Sequence, residues 1–425
     1  MAGRRDDRRR PVAPLCLALL LLLLCSSTTY SFVSTTTRTV CNQQTLSAHY
    51  HHQYDQINNS THVLSRRSSI TSSIAIASSC FFLLQLPSSA TDIDATTTKE
   101  QQSRASITIP LQYEPKLCAY TVSYVVGNTK FGAIVDTGSP FLVVPQTSCR
   151  PDYKWGCYRA EESQPSGLEA TYERFVGNEG MVEWREGGFS LPQSTSSVSD
   201  FESLFPQSSS MIFGVVSESL LDGTGGLFLG LVKETNSWIR PSFLGQSDVN
   251  AFSVDLREKE GLDKTLTLYG GSNRQPENPS WSPDHAIKLV RDLNKRFGDA
   301  TIHYVGLASS MIVNGYSLAT STRRSKLYVI FDTGCSGMSI STSLFNERYS
   351  IARERRENNL WGNVELHFKT VNGSTSLSAR KPLTTTLDDR PWGKQLDGHL
   401  IVLGLAFLEG HEMTVDIDNG KIWFD

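Results

Sequence analysis

Two stretches of this chain share a plan that few folds can hold. AIVDTGSPFLVVP at residues 133–145 sets Asp136, Thr137 and Gly138 between two apolar runs, and VIFDTGCSGMSIS at 329–341 does the same with Asp332, Thr333 and Gly334. Apolar runs rich in Val, Ile and Phe read as buried strands, and an ionisable group in the turn between them is costly unless chemistry uses it. Each unit is followed later by an apolar run ending in Leu-Gly-Leu, LFLGL at 227–231 and IVLGL at 401–405. The repetition predicts two related lobes about a pseudo-twofold axis, which brings Asp136 and Asp332 face to face.

Two carboxylates in one site do not ionise together easily, so one keeps a proton while the other stays charged. The charged one can take a proton from a water held between them as the protonated one polarises a carbonyl. Gly138 and Gly334 let backbone N–H groups approach the carboxylates, Thr137 and Thr333 can tie the two loops together through their hydroxyls, and Ser139 can donate to Asp136. The glycines of LDGTGGLFLGL lack the spacing of a nucleotide-binding loop and are expected to let that strand pack under the Asp136 loop.

The rest of the chain beyond residue 105 is strand-like and the class is mainly β. YTVSYVV, FSVDL, TLTLYGG and NVELHFKTV are rich in β-branched and aromatic residues and are divided by Gly and Asn. VGNTK at 126–130 and VNGS at 371–374 predict tight hairpin turns. One helix is predicted within 343–361, with its charges facing solvent.

The chain of 425 residues begins differently. Arg4, Arg5, Arg8, Arg9 and Arg10 precede LCLALLLLLL, so residues 1–31 read as a secretory signal peptide. Residues 32–90 are rich in Ser and Thr with Asp55 the single acidic residue, a transit-peptide composition that includes an Arg66-Arg67 pair ahead of an apolar run, resembling a second export signal. These stacked signals predict entry by the secretory route and a thylakoid-lumen destination in an alga with complex plastids; a vacuolar or secreted protein is the alternative. Without residues 1–90 the chain holds 32 basic and 40 acidic residues, a net charge of −8. No basic, aromatic-interleaved run points to nucleic acid, and no run beyond residue 90 is long enough to anchor in a membrane. Cys149 and Cys157 bracket RPDYKWG, a loop that a disulfide could close, with free thiols as the other possibility. No metal-ligand spacing is present, so neither a metal nor another cofactor is expected.

Taken together, IVDTGSPFLVVP, Cys149 thirteen positions after Asp136, IFG at 212–214, FSVDL at 252–256, TLYGG, the second motif and IVLGLAFLEGHEMTVDIDNGKIWFD resemble the pepsin-like eukaryotic aspartic proteases over roughly 107–425. The resemblance implies a bilobal, β-rich fold with the cleft between an N-terminal lobe (91–283) and a C-terminal lobe (284–425). It also implies Asp136 and Asp332 as the catalytic pair, a polypeptide substrate, endopeptidase activity beside apolar residues and a monomer.

The departures from the family pattern are specific. Val143 stands where a tryptophan is usual. The flap is expected within 170–191, with Tyr172 as its tyrosine and Phe175 as the rival, outside the usual Tyr-Gly-x-Gly setting. Cys335 replaces a Ser or Thr and Leu405 an aspartate, and both changes predict a dyad working at higher pH. An inhibitory prosegment is expected to be short or missing. An inactive pepsin-fold binding or inhibitor protein is the alternative function.

Overall fold

The alternation read from the sequence builds hairpins. In the computed structural model, which describes residues 105–146, 155–175, 178–195, 197–217, 227–234, 241–270, 282–291, 303–318, 326–387 and 398–425, the strands Ala119–Val126 and Thr129–Asp136 pair antiparallel. Val126 lies opposite Thr129, so Gly127 and Asn128 form the expected tight turn, with Gly127 at φ +62°. Asn314-Gly315 makes another such turn, both residues at positive φ, which the sequence reading had not singled out. VNGS lies in the tight hairpin turn expected of it, closed by Thr370 N–H donating to the Gly373 carbonyl (3.0 Å). Asn372 at its tip reaches across to Asp284, its N–H donating to the Asp284 carbonyl (3.1 Å) and its Nδ2 to Asp284 Oδ1 (2.6 Å).

The described residues are mainly β, arranged in several sheets within the unit Cys41–Asp425. One six-stranded sheet runs Ser106–Pro110, Thr265–Gly270, Val249–Asp255, Glu412–Asp416, Lys421–Phe424, Ile287–Lys288. Its central pair sets Phe252 opposite Val415 and Ser253 opposite Thr414, so the related stretches FSVDL and MTVDI run antiparallel beside each other. Arg257 joins the two central strands by pairing with Asp255 (2.8 Å) and Glu412, while Ser253 Oγ donates to Glu412 Oε1 (3.0 Å). Burial raises the Asp255 carboxyl, but the hydrogen bonds from Arg257 and Lys259 outweigh it and hold the group at about 2.

Both motif strands sit against a parallel neighbour. Thr129–Asp136 pairs with Phe228–Gly230, Val135 opposite Leu229, and Lys326–Phe331 pairs with Gly398–Leu403, Ile330 opposite Val402. Val135, Leu229, Ile330 and Val402 are all buried. The glycine closing each neighbour has no room for a side chain: a Cβ on Gly230 would lie 2.5 Å from Phe141 N and Ser139 O, and one on Gly404 would lie 2.1 Å from Cys335 O. That is the packing under the loop expected from the Leu-Gly-Leu units.

The expected helix spans Thr342–Arg355 and ends at Arg356 in the left-handed conformation (φ +53°). Its charges do not all face solvent. Arg348 is fully buried, donating from Nε to the Leu360 carbonyl (2.8 Å) and pairing with Glu357, because the chain folds back over the helix and supplies acceptors there. Among the described residues no helix is long and apolar enough to cross a membrane.

Candidate functional site

Asp136 ends the strand Thr129–Asp136, and Asp332 follows Lys326–Phe331, whose last residue, Phe331, is fully buried. Thr137 and Thr333, next in each motif, are buried and cross-linked. Thr137 N–H donates to Thr333 Oγ1 (3.2 Å) and Thr333 N–H donates to Thr137 Oγ1 (3.0 Å). Each hydroxyl then donates across to the other loop, Thr137 to the Phe331 carbonyl (2.8 Å) and Thr333 to the Val135 carbonyl (2.6 Å). Every donor and acceptor of the crossing is used, so the two loops are fixed relative to each other at the point where the carboxylates emerge.

The carboxylates themselves meet. Gly138 N–H donates to Asp136 Oδ1 (2.7 Å) and Gly334 N–H to Asp332 Oδ1 (2.8 Å). A Cβ on Gly138 would lie 2.6 Å from Asp332 Oδ2, and one on Gly334 would lie 2.7 Å from Asp136 Oδ1. Each carboxylate therefore lies over the glycine of the opposite motif, a position that any larger residue would occupy. Burial, the largest effect, pushes the Asp136 carboxyl above the ordinary carboxylate range; the Gly138 amide, Ser139, Asp332 and the charge of His303 act in the opposite direction.

Ser139 acts on Asp136 in the expected sense. Its Oγ is buried and close enough to favour the Asp136 anion, but lies outside good hydrogen-bond geometry. Val232 N–H donates to the Ser139 carbonyl (3.0 Å). Cys335 is a buried thiol whose own N–H donates to the Asp332 carbonyl (3.2 Å). With Ser336, Met338, Ser339, Leu383 and Thr385 it lines a recess of about 20 Å³. Leu405 N–H donates to the Cys335 carbonyl (2.7 Å), so the residue expected to weaken the dyad's polar surroundings is fastened to the second motif loop by its backbone.

The stretch expected to cover the cleft forms a hairpin, Thr171–Phe175 against Asn178–Gly187, with Tyr172 opposite Met181. Both project outward, Tyr172 55% and Met181 54% exposed. Cys149 lies outside the described residues, and so does the expected Cys149–Cys157 bridge.

Trp184 was not picked out from the sequence. Val143 stands where the resemblance expects a tryptophan, and its carbonyl accepts from Tyr124 Oη (2.6 Å). An indole arrives instead from the hairpin: Trp184 packs edge-on to Phe141 (5.4 Å) and donates from Nε1 to Thr171 Oγ1 (2.9 Å). Gly214 makes room for it, since a Cβ there would lie 3.3 Å from the indole. Trp184 thus couples the base of the hairpin to the chain just beyond Asp136. Trp184→Phe keeps most of the packing and removes the bond, so a destabilisation of about 1 kcal/mol is expected. It should show as faster amide exchange confined to Thr171–Gly187; unchanged exchange there would exclude the coupling.

His303 is the other residue that sequence reasoning missed, since its partners lie elsewhere in the chain. No group of three or more His, Cys, Asp or Glu side chains among the described residues converges as a metal-ligand set. No protein-family model matches the chain, and no curated protein matches it.

Proposed function

We propose that the chain is an aspartic endopeptidase of bilobal, pepsin-like architecture, in which Asp136 and Asp332 share one proton and activate water against a peptide carbonyl. The observation that carries this reading is the reciprocal placement of each carboxylate over the other motif's glycine, with the threonine pair crossing beneath. Carboxylates so close hold a single proton between them over a range of pH. The ionised member removes a proton from the bridging water as its oxygen bonds to the carbonyl carbon, and the protonated member gives its proton to the carbonyl oxygen. The resulting gem-diol collapses as a proton passes to the leaving nitrogen, so atoms and charge balance without a covalent enzyme intermediate.

The strands that hold each motif support two lobes related by a pseudo-twofold axis: a parallel pairing ends at the Leu-Gly of each, and FSVDL and MTVDI lie side by side in the shared sheet. The hairpin bearing Tyr172 and Met181 would close over an extended polypeptide, favouring apolar side chains beside the cut bond.

The test is digestion of a denatured protein by the purified chain between pH 3 and 8, with and without pepstatin. Cleavage that pepstatin blocks is the expected result. A folded chain inert at every pH, yet binding peptides or pepstatin, would replace this reading with a non-catalytic binding protein.

A further inference from the structure

His303 sits at the edge of the dyad and has no part in the mechanism above. The strand Val305–Val313 pairs antiparallel with Lys326–Phe331, Val305 opposite Ile330, and the ladder is extended by Phe331 N–H donating to the Tyr304 carbonyl (3.3 Å). One further step of the same register sets His303 opposite Asp332. Tyr304 is turned inward, its hydroxyl donating to the Leu231 carbonyl (2.7 Å), and Leu231 N–H in turn donates to the Asp136 carbonyl (2.8 Å). Strand alternation therefore places the imidazole on the other side from this anchor, the side taken by Asp332. Its Nδ1 is buried, and its charge acts on Asp136 in favour of the anion. Register thus sets His303 opposite Asp332, and the field of its imidazole reaches Asp136.

The other charged groups on the elements around it are directed elsewhere. Lys233, on the segment that follows Phe228–Gly230, donates from Nζ to the carbonyls of Val249 (2.6 Å) and Ser247 (3.4 Å), and Glu234 acts on the phenol of Tyr304. On the segment bonded to Val305, Lys288 is exposed, and Arg291 is taken by the carbonyls of Ile417 and Asp418. Among these neighbours Asp136 and Asp332 are the carboxylates on the His303 side.

We infer that His303 is a positioning residue for the carboxylate pair, its imidazolium keeping one of the two carboxylates ionised as the pH falls and so setting how acidic a medium the site tolerates. An imidazole carries its charge below roughly pH 6 and loses it between about pH 5 and 8, so the support is present where the dyad is threatened with double protonation. A permanent apolar or neutral residue there would surrender the acid side of the profile first. The inference builds on the proteolytic reading, but one arm of its test needs no activity.

In that arm, the His303 ring proton is followed by NMR against pH in the wild type and in Asp136→Asn, the resonance being identified by its absence in His303→Gln. Removing the carboxylate should lower the imidazole's titration midpoint by about half to one pH unit. An unmoved midpoint overturns the inference whether or not the protein cleaves peptides. In the kinetic arm, the acid limb of kcat/KM should move up by a similar amount in His303→Gln, a loss of about three- to tenfold on that limb, and return toward the wild type in His303→Lys. Superimposable acid limbs, or an equal loss at every pH that Lys does not repair, would make His303 a packing residue only.

Discussion

Asp136→Asn is expected to abolish peptide cleavage and, at neutral pH, to raise the melting temperature. The amide keeps the shape of the carboxyl and can still accept from the Gly138 amide, but it neither shares a proton with Asp332 nor removes one from water. Loss of an acid–base partner costs about 10²–10⁴-fold, and here one substitution removes both halves of a shared-proton pair, so a fall of at least about 10³-fold is expected in kcat/KM. The stability effect follows from the direction of the Asp136 shift. Burial raises its folded pKa above the unfolded value, so its contribution is present in full below the unfolded pKa, about 3.9, and is lost as the pH rises through the folded pKa. At pH 7 the folded protein therefore holds a buried charge that the amide removes, so the variant should melt at a higher temperature there. Near pH 3 the gain should vanish. Calorimetry at the two pH values checks this; equal melting temperatures at pH 7 would mean that the carboxylates are better solvated than their burial implies.

Thr137→Val should damage stability more than any single surface change. Thr137 is fully buried, and its hydroxyl both donates to the Phe331 carbonyl and accepts from Thr333 N–H. Valine fills the space but leaves a buried carbonyl and a buried amide without their partner, at a cost of about 2–4 kcal/mol together. Thr333→Val should cost about the same, since the second hydroxyl does the same work for Val135 and Thr137. The double variant should cost clearly less than the sum, because each single change already breaks the crossing that the other needs. Denaturant unfolding of the four proteins measures this directly. Strict additivity would show that the hydroxyls act independently and that the carboxylates are positioned by the strands alone.

What could be read in the sequence was local or repeated. The Asp-Thr-Gly units, their apolar flanks and the glycines of the Leu-Gly-Leu runs all declare themselves within a few residues, and each was found where its spacing put it. Gly127 and Asn128 likewise fixed their turn by chemistry that needs no distant partner. The misses depend on distant contacts. Trp184 matters because Thr171 and Phe141 come to it, and His303 because a ladder begun at Val305 carries it to Asp332. Arg348 was read as a surface charge, since nothing in a helical pattern shows that Glu357 and the Leu360 carbonyl will fold over it.

The six-stranded sheet also governs when this protein can fold. Its two central strands, Val249–Asp255 and Glu412–Asp416, lie far apart in the sequence, and Lys421–Phe424, the next strand out, follows the second of them. During synthesis Val249–Asp255 offers an unsatisfied edge until Glu412–Asp416 has been made. The sheet therefore acts as a test of completeness. A chain in which Glu412–Asp416 has not yet been made leaves this sheet open at its middle.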